Sequence, residues 1–176
     1  GSEVRRLVIA KGTALSVTSI GDAFLSNCRW LAHVDLSGLT AVTKIGNHFL
    51  CTAGSLREFD FGPLESLTSI GDDCIEYCMK LTAIHCRRLE NKPQLRSVGD
   101  RAFSHNPMLT RFDCHVVDGV RQLGIAFLSS CPNLTSVDTR GLEELEVATT
   151  CFLGLNPSLG DINTAGLCAL RVIGQH

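Results

Sequence analysis

The sequence predicts a solenoid of α/β repeat type, with short parallel strands on a concave face and turns and short helical or 3-10 segments elsewhere. Two observations predict it. A six-residue pattern recurs in phase, as Val17-Thr18-Ser19-Ile20-Gly21-Asp22, Val42-Thr43-Lys44-Ile45-Gly46-Asn47, Leu67-Thr68-Ser69-Ile70-Gly71-Asp72 and Leu95-Arg96-Ser97-Val98-Gly99-Asp100. Later copies read Val120-Arg121-Gln122-Leu123-Gly124 and Leu170-Arg171-Val172-Ile173-Gly174. A second apolar block follows 14 residues into each unit. Self-similarity at a fixed period is the signature of stacked repeats.

Units begin at residues 17, 42, 67, 95, 120 and 145, with a partial unit over 3–16 and another from 170, so residues 1–176 read as one domain. Every step is 25 residues except one of 28, whose extra residues fall near Glu90-Asn91-Lys92-Pro93-Gln94, a polar loop. The unit from 145 keeps the spacing but loses the Ile-Gly. The second block reads Leu31-x-x-Val34-x-Leu36, Leu56-x-x-Phe59-x-Phe61, Leu81-x-x-Ile84-x-Cys86 and Leu109-x-x-Phe112-x-Cys114. Leu134-x-x-Val137-x-Thr139 and Leu159-x-x-Ile162-x-Thr164 follow, and an apolar residue lies three positions beyond each block (Leu39, Leu64, Leu89, Val117, Leu142, Leu167). This is the L-x-x-L-x-L pattern of leucine-rich repeats.

One unit is too small to bury its own apolar face, so a core forms only by stacking. The second block is expected to be a strand of a parallel sheet, and the Val-Thr-Ser-Ile stretch a short extended segment on the opposite side. The piece between them, as over Asp22–Cys28, is expected to be turn-rich or briefly helical. The glycine after Ile is expected to serve a turn needing positive φ. Amphipathic helices are excluded, because no segment holds a 3.6-residue period for three turns.

Composition narrows the function. Hydrophobic residues make up 44% of the chain, enough for a continuous core, and the formal net charge is −2. No basic footprint for nucleic acid is present. No apolar run approaches membrane-spanning length. The nine cysteines are odd in number and fall at core positions, so they are expected to be buried thiols acting as small hydrophobes. Those thiols favour a cytoplasmic setting over the cell surface, with location otherwise open.

The residues Ile20-Gly21-Asp22, the apolar residue five positions after Ile (Leu25, Leu50, Ile75, Phe103, Leu128), the Cys or Asn eight positions after it and the strand Leu134-Thr135-Ser136-Val137-Asp138 carry a resemblance. Together they resemble the BspA-like leucine-rich repeats of bacterial and protist proteins. The form Val34-Asp35-Leu36-Ser37-Gly38-Leu39 is similar to the protist arrays. The resemblance covers roughly residues 17 to 176. It implies a curved solenoid for adhesion or protein recognition, with no catalytic residues.

Within the repeat register, Cys28, Ala53, Cys78, Asn106, Cys131 and Asn156 form one column, expected inside the turn, bonding backbone groups that would otherwise be buried and unpaired. Zinc is not expected, since Cys74 lies on another side of the coil from Cys86 and Cys114. Those last two share a core position on neighbouring strands, where a disulfide meets an unfavourable dihedral.

The concave face supplies the candidate binding residues. One exposed column reads Asp35, Asp60, His85, Asp113, Asp138 and Asn163, stacked about 5 Å apart if the strands are parallel and in register. Like charges at that spacing repel, so either nearby hydroxyls and backbone donors offset them or a basic partner lies along the face. His85, between Asp60 and Asp113, is either a pH-sensitive element or an ordinary surface histidine. Arg57 and Arg111 add interface-type contacts, and Trp30 is either an anchor or a cover for the edge of the array. Asn133-Leu134-Thr135 is a glycosylation sequon, relevant only to a secreted chain.

No nucleotide, metalloprotease or esterase motif occurs, so no catalytic residue, metal or cofactor is assigned. The function expected is a non-catalytic module binding a protein partner, with no nucleic acid and no membrane insertion. The alternative is a structural spacer or surface-adhesion array. Neither end shows a polar capping unit, which predicts a fragment of a longer protein or a chain that docks end-on.

Overall fold

The computed structural model describes residues 3–12, 16–86 and 95–174. The insertion at 90–94 and Leu89 lie outside the described residues. The coils carry two short strands, as the two apolar blocks predict, reduced to isolated bridges at Gln122 and Leu123. The concave strands are Arg6–Val8, His33–Asp35, Glu58–Asp60, Ala83–His85, Arg111–Phe112, Ser136–Asp138 and Asp161–Asn163. The opposite strands are Ser19–Ile20, Lys44–Ile45, Ser69–Ile70, Ser97–Val98, Val147–Ala148 and Val172–Ile173. All pairing is parallel and in the register of the repeat, as in Phe59 opposite Ile84 and Ile45 opposite Ile70. The unit lacking Ile-Gly keeps its place, with Val147 bridging Gln122 on one side and pairing Val172 on the other.

Between the two strands the chain takes the turn-rich form rather than the helical one, with an unusual backbone. Ala23, Leu25 and Asn27 have φ of 55°, 58° and 57°, and the same three columns are left-handed in every later coil, through Cys151, Leu153 and Leu155. The intervening residues are not, so handedness alternates. The N–H of His48 donates to Asp72 O in the next coil, that of Leu50 to Phe24 O in the previous one, and that of Thr52 to Glu76 O in the next. A helix would satisfy these groups internally, but packed helices need 8–10 Å between axes while stacked strands sit about 4.8 Å apart. Coils held at strand spacing leave no room for one. Each left-handed residue costs about 1–2 kcal/mol. The bonds to both neighbours offset that cost, as does burial of Leu50, Ile75, Phe103 and Leu128, all 0% exposed. Helical turns occur elsewhere, as 3-10 segments at Cys114–Val117 and Thr164–Gly166, just after concave strands.

The glycine after Ile has a different reason from the one expected. Gly46, Gly71, Gly99 and Gly124 do not have positive φ; what they need is close approach. A Cβ on Gly46 would lie 2.3 Å from Asp22 Oδ1 and 2.7 Å from Asp22 N. The Asp or Asn after Gly21, Gly46, Gly71 and Gly99 exploits that approach. Asp22 Oδ1 accepts the N–H of Asn47 at 2.7 Å, Asn47 Oδ1 that of Asp72 at 2.9 Å, and Asp72 Oδ1 that of Asp100 at 2.8 Å.

The core is continuous from coil to coil. All eight phenylalanines join one chain of ring contacts, from Phe24 against Phe49 through Phe59, Phe61, Phe103, Phe112 and Phe127 to Phe152. The central pairs meet edge to face, as Phe61 and Phe103 do at 5.8 Å, the arrangement the ring quadrupole favours.

Candidate functional site

The concave column forms as the register requires, and it is built into the backbone. Asp35 Oδ1 accepts the N–H of Ser37, Asp60 that of Gly62, Asp113 that of His115, Asp138 that of Arg140 and Asn163 that of Ala165, at 2.8–3.2 Å. Each side chain therefore closes the turn that leaves its strand. They are backbone donors of the kind that counter like-charge repulsion. The Ser37 backbone N–H, chiefly, holds the Asp35 carboxyl below the usual carboxylate range. Asp138 is lowered chiefly by the side chain of Arg140, whose Nε donates to Oδ2 at 2.7 Å.

His85 lies opposite Asp60 in register, yet its nearest carboxylate contact is Glu58, with Nε2 3.9 Å from Oε2. Two depressions open along this face. One, of about 500 Å³, is bordered by His33, Glu58, Asp60, His85 and Asp113. The other, of about 310 Å³, gathers Arg111, Asp113, His115, Asp138 and Arg140. Arg57 directly precedes the strand Glu58–Asp60 and is exposed. Trp30 stands apart from this group, in the turn before His33–Asp35, with 60% of its surface exposed.

Sequence reasoning missed a second surface, on the flank where each coil turns towards its concave strand. There Tyr77, His105, Ser130 and Leu155 share one column, and Met79, Pro107, Pro132 and Pro157 another. They border an apolar groove of about 830 Å³ crossing four coils. Tyr77 stacks on His105 with centroids 4.5 Å apart. A buried carboxylate fixes that pair. Glu76 is 6% exposed, and its Oε1 lies 3.1 Å from Ser104 Oγ and 3.2 Å from His105 Nδ1. Burial raises the Glu76 carboxyl, and the Ser104 hydroxyl opposes the shift. Beside it Asp73 takes Arg101 through two contacts, Nε to Oδ1 at 2.6 Å and Nη2 to Oδ2 at 3.0 Å, and His48 at 3.3 Å. The signal was available in the sequence: three prolines recur at one repeat position beside a stripe of Tyr, Met and Leu.

The cysteine and asparagine column behaves as expected. Cys78 Sγ donates to Leu50 O, Asn106 Nδ2 to Ile75 O, Cys131 Sγ to Phe103 O and Asn156 Nδ2 to Leu128 O, one carbonyl per coil. Burial pushes the Cys78 thiol up to about 12 and that of Cys131 up to about 11. No disulfide joins Cys86 and Cys114. Among the described residues no His, Cys, Asp and Glu cluster is arranged to hold a metal ion, and no helix is long and apolar enough to cross a membrane.

The comparisons agree with this architecture. No curated protein and no solved structure matches the chain. A model of the BspA type leucine rich repeat region matches in six copies, over residues 12–91 and 43–166. This chain belongs to the BspA-type leucine-rich-repeat family.

Proposed function

We propose that this repeat module binds a protein partner through its concave sheet and adjacent loops and performs no catalysis. The observation that carries the reading is the row of carboxylates at Asp35, Asp60, Asp113 and Asp138. Turn closure uses one oxygen of each; Asp60 and Asp113 keep their charge along two depressions, while Arg140 takes the second oxygen of Asp138. An aligned row of one sign favours a basic partner and speeds its approach. Arg57, Arg111, His85 and Asn163 supply the polar rim, and Trp30 a flanking anchor.

The test separates charge from turn closure. The double variant Asp60→Asn with Asp113→Asn keeps both side-chain acceptors and removes two charges. Capture of a partner by the natural chain, lost or weakened severalfold in the variant and in raised salt, supports the reading. Equal capture by both would remove it. A second reading, a spacer or adhesion array without a dedicated site, is favoured by the same bonds, since each acid already serves its own turn. Equal behaviour of the two chains in every binding assay is its expected outcome.

A further inference from the structure

The flank groove is distinct from the concave face and has its own chemistry. Its walls are Tyr77, Met79, His105, Pro107, Pro132 and Leu155 with their neighbours, and no Asp, Glu, Lys or Arg lines it. Tyr77 is 44% exposed, Met79 55% and Leu155 76%. Side chains of this kind are left in water at consecutive repeat positions, while the equivalent residues of the first coils are Asn27, Arg29, Thr52 and Gly54. The groove is therefore a local departure from the repeat.

Size and charge limit the occupant. Four coils at about 4.8 Å spacing give a groove about 14 Å long. About 830 Å³ spread over that length is a cross-section of about 60 Å², room for one extended segment but not for the folded surface that supplies about 800 Å² per partner in a stable complex. The occupant is a short segment rather than a second copy of the chain. With no charged lining, it is an uncharged one.

Geometry chooses its form. The backbone groups of the turn columns are spent on the neighbouring coils, as Tyr77 N–H on Ser104 O and His105 N–H on Ser129 O. A strand adding itself here would find few partners. A polyproline II segment asks for none, since its backbone stays hydrated and its shape is preset. Its turn of three residues rises about 9.3 Å, and two coil steps rise about 9.6 Å. Every third side chain of such a segment thus meets every second coil, in phase with Tyr77 and Ser130 or with His105 and Leu155. The Tyr77–His105 stack is held from below by the Glu76 carboxylate, so the aromatic platform is in place before anything binds.

We propose that this groove docks an uncharged, proline-rich segment of a partner in the polyproline II form. The probe is a fluorescein-labelled peptide of three Leu-Pro-Pro repeats, titrated with the full chain and read by fluorescence polarisation. A peptide of three Leu-Gly-Ala repeats is the control. Saturable binding of the first, at least about tenfold weaker for the second and for Tyr77→Ser or Leu155→Asn, is the expected result. Both substituted side chains are exposed, and melting curves of the variants check that they fold. The double variant Asp60→Asn with Asp113→Asn binds the peptide unchanged, which keeps this groove separate from the concave face. Three results overturn the proposal: no saturable binding, equal binding of the control, or binding indifferent to Tyr77. A concentration-dependent dimer abolished by Tyr77→Ser would also overturn it, by assigning the groove to a second copy.

Discussion

Cys78 and Asn106 occupy one column of adjacent coils, and Asn106 Oδ1 accepts the Cys78 backbone N–H at 2.8 Å. The same amide donates to Ile75 O and Phe103 O, both at 2.8 Å. One side chain thus serves three backbone groups of two coils, at a site that is 0% exposed. Asn106→Ala leaves the Cys78 N–H and Ile75 O unpaired, and Phe103 O with only the Cys131 thiol, and should cost about 2–4 kcal/mol in urea denaturation. Asn106→Cys keeps a donor for Ile75 O, as Cys78 and Cys131 do for their own neighbours, and should recover part of the loss. Equal stability of the two variants would contradict this division.

Glycine at the repeat position is required only where a coil lies against it. A Cβ on Gly124 would fall 2.3 Å from both the C and the O of Gly99, whereas one on Gly21 meets nothing within 4 Å. Gly124→Ala should therefore destabilise by about 1–3 kcal/mol or more. Gly21→Ala should be neutral or slightly stabilising through the unfolded chain. Thermal melts of the pair decide it, and similar losses would refute the close-approach account.

Asp60 closes its turn through the N–H of Gly62 at 2.8 Å. Asp60→Ala should lose about 0.5–2 kcal/mol, the range seen for comparable side-chain caps. Asp60→Asn should stay within about 0.5 kcal/mol of the natural chain. A comparable loss in both would mean that charge, not the acceptor, matters there.

Thiol chemistry should sort by depth. Cys168 is exposed, whereas Cys74, Cys78, Cys114 and Cys131 are among the buried cysteines, and desolvation raises the thiols of these four. A disulfide reagent at pH 8 should modify Cys168 first, and Cys168→Ser should remove that fastest phase. Those four thiols should react only as fast as the array opens. Fast modification of Cys78 in the folded protein would be the contrary result.

Glu76 makes stability depend on pH in an unusual direction. Burial raises its carboxyl above the ordinary value of 4.5. A raised acid contributes stability that is present in full below the ordinary value and is lost as pH rises through the folded one. At pH 7 the charged form is a net cost, so Glu76→Gln should melt higher than the natural chain. The gap should shrink towards pH 4. A gap that widens on acidification would reverse the sign assigned here.

The period, the parallel strands and the concave column were legible because each rests on a pattern that stacking repeats: L-x-x-L-x-L at one phase and Ile-Gly-Asp at another. The meaning of Gly46 was not legible. Positive φ and close approach select the same residue, and only the neighbouring coil distinguishes them. The left-handed residues were hidden for a related reason. Leu50, Ile75 and Phe103 are poor left-handed formers by themselves, and bonds to the previous coil, at Phe24 O, Phe49 O and Cys74 O, go with that backbone. The acid column was visible, and its bonds to Ser37, Gly62 and His115 follow from an acceptor two residues before a turn N–H. The flank groove was not legible from charge or from the apolar core, because it lies in the exposed Tyr77 and Met79 and the proline column.

The alternating-handed segment also shapes the electric field of the molecule. In a helix the peptide dipoles align and leave partial charge at each end, which attracts anions to the N-terminus. Here the N–H of His48 points to the next coil, that of Leu50 to the previous one and that of Thr52 to the next, so successive dipoles oppose one another. The flank therefore carries almost no backbone field of its own. An approaching molecule there meets side-chain charge alone, such as that of the Asp73 and Arg101 pair.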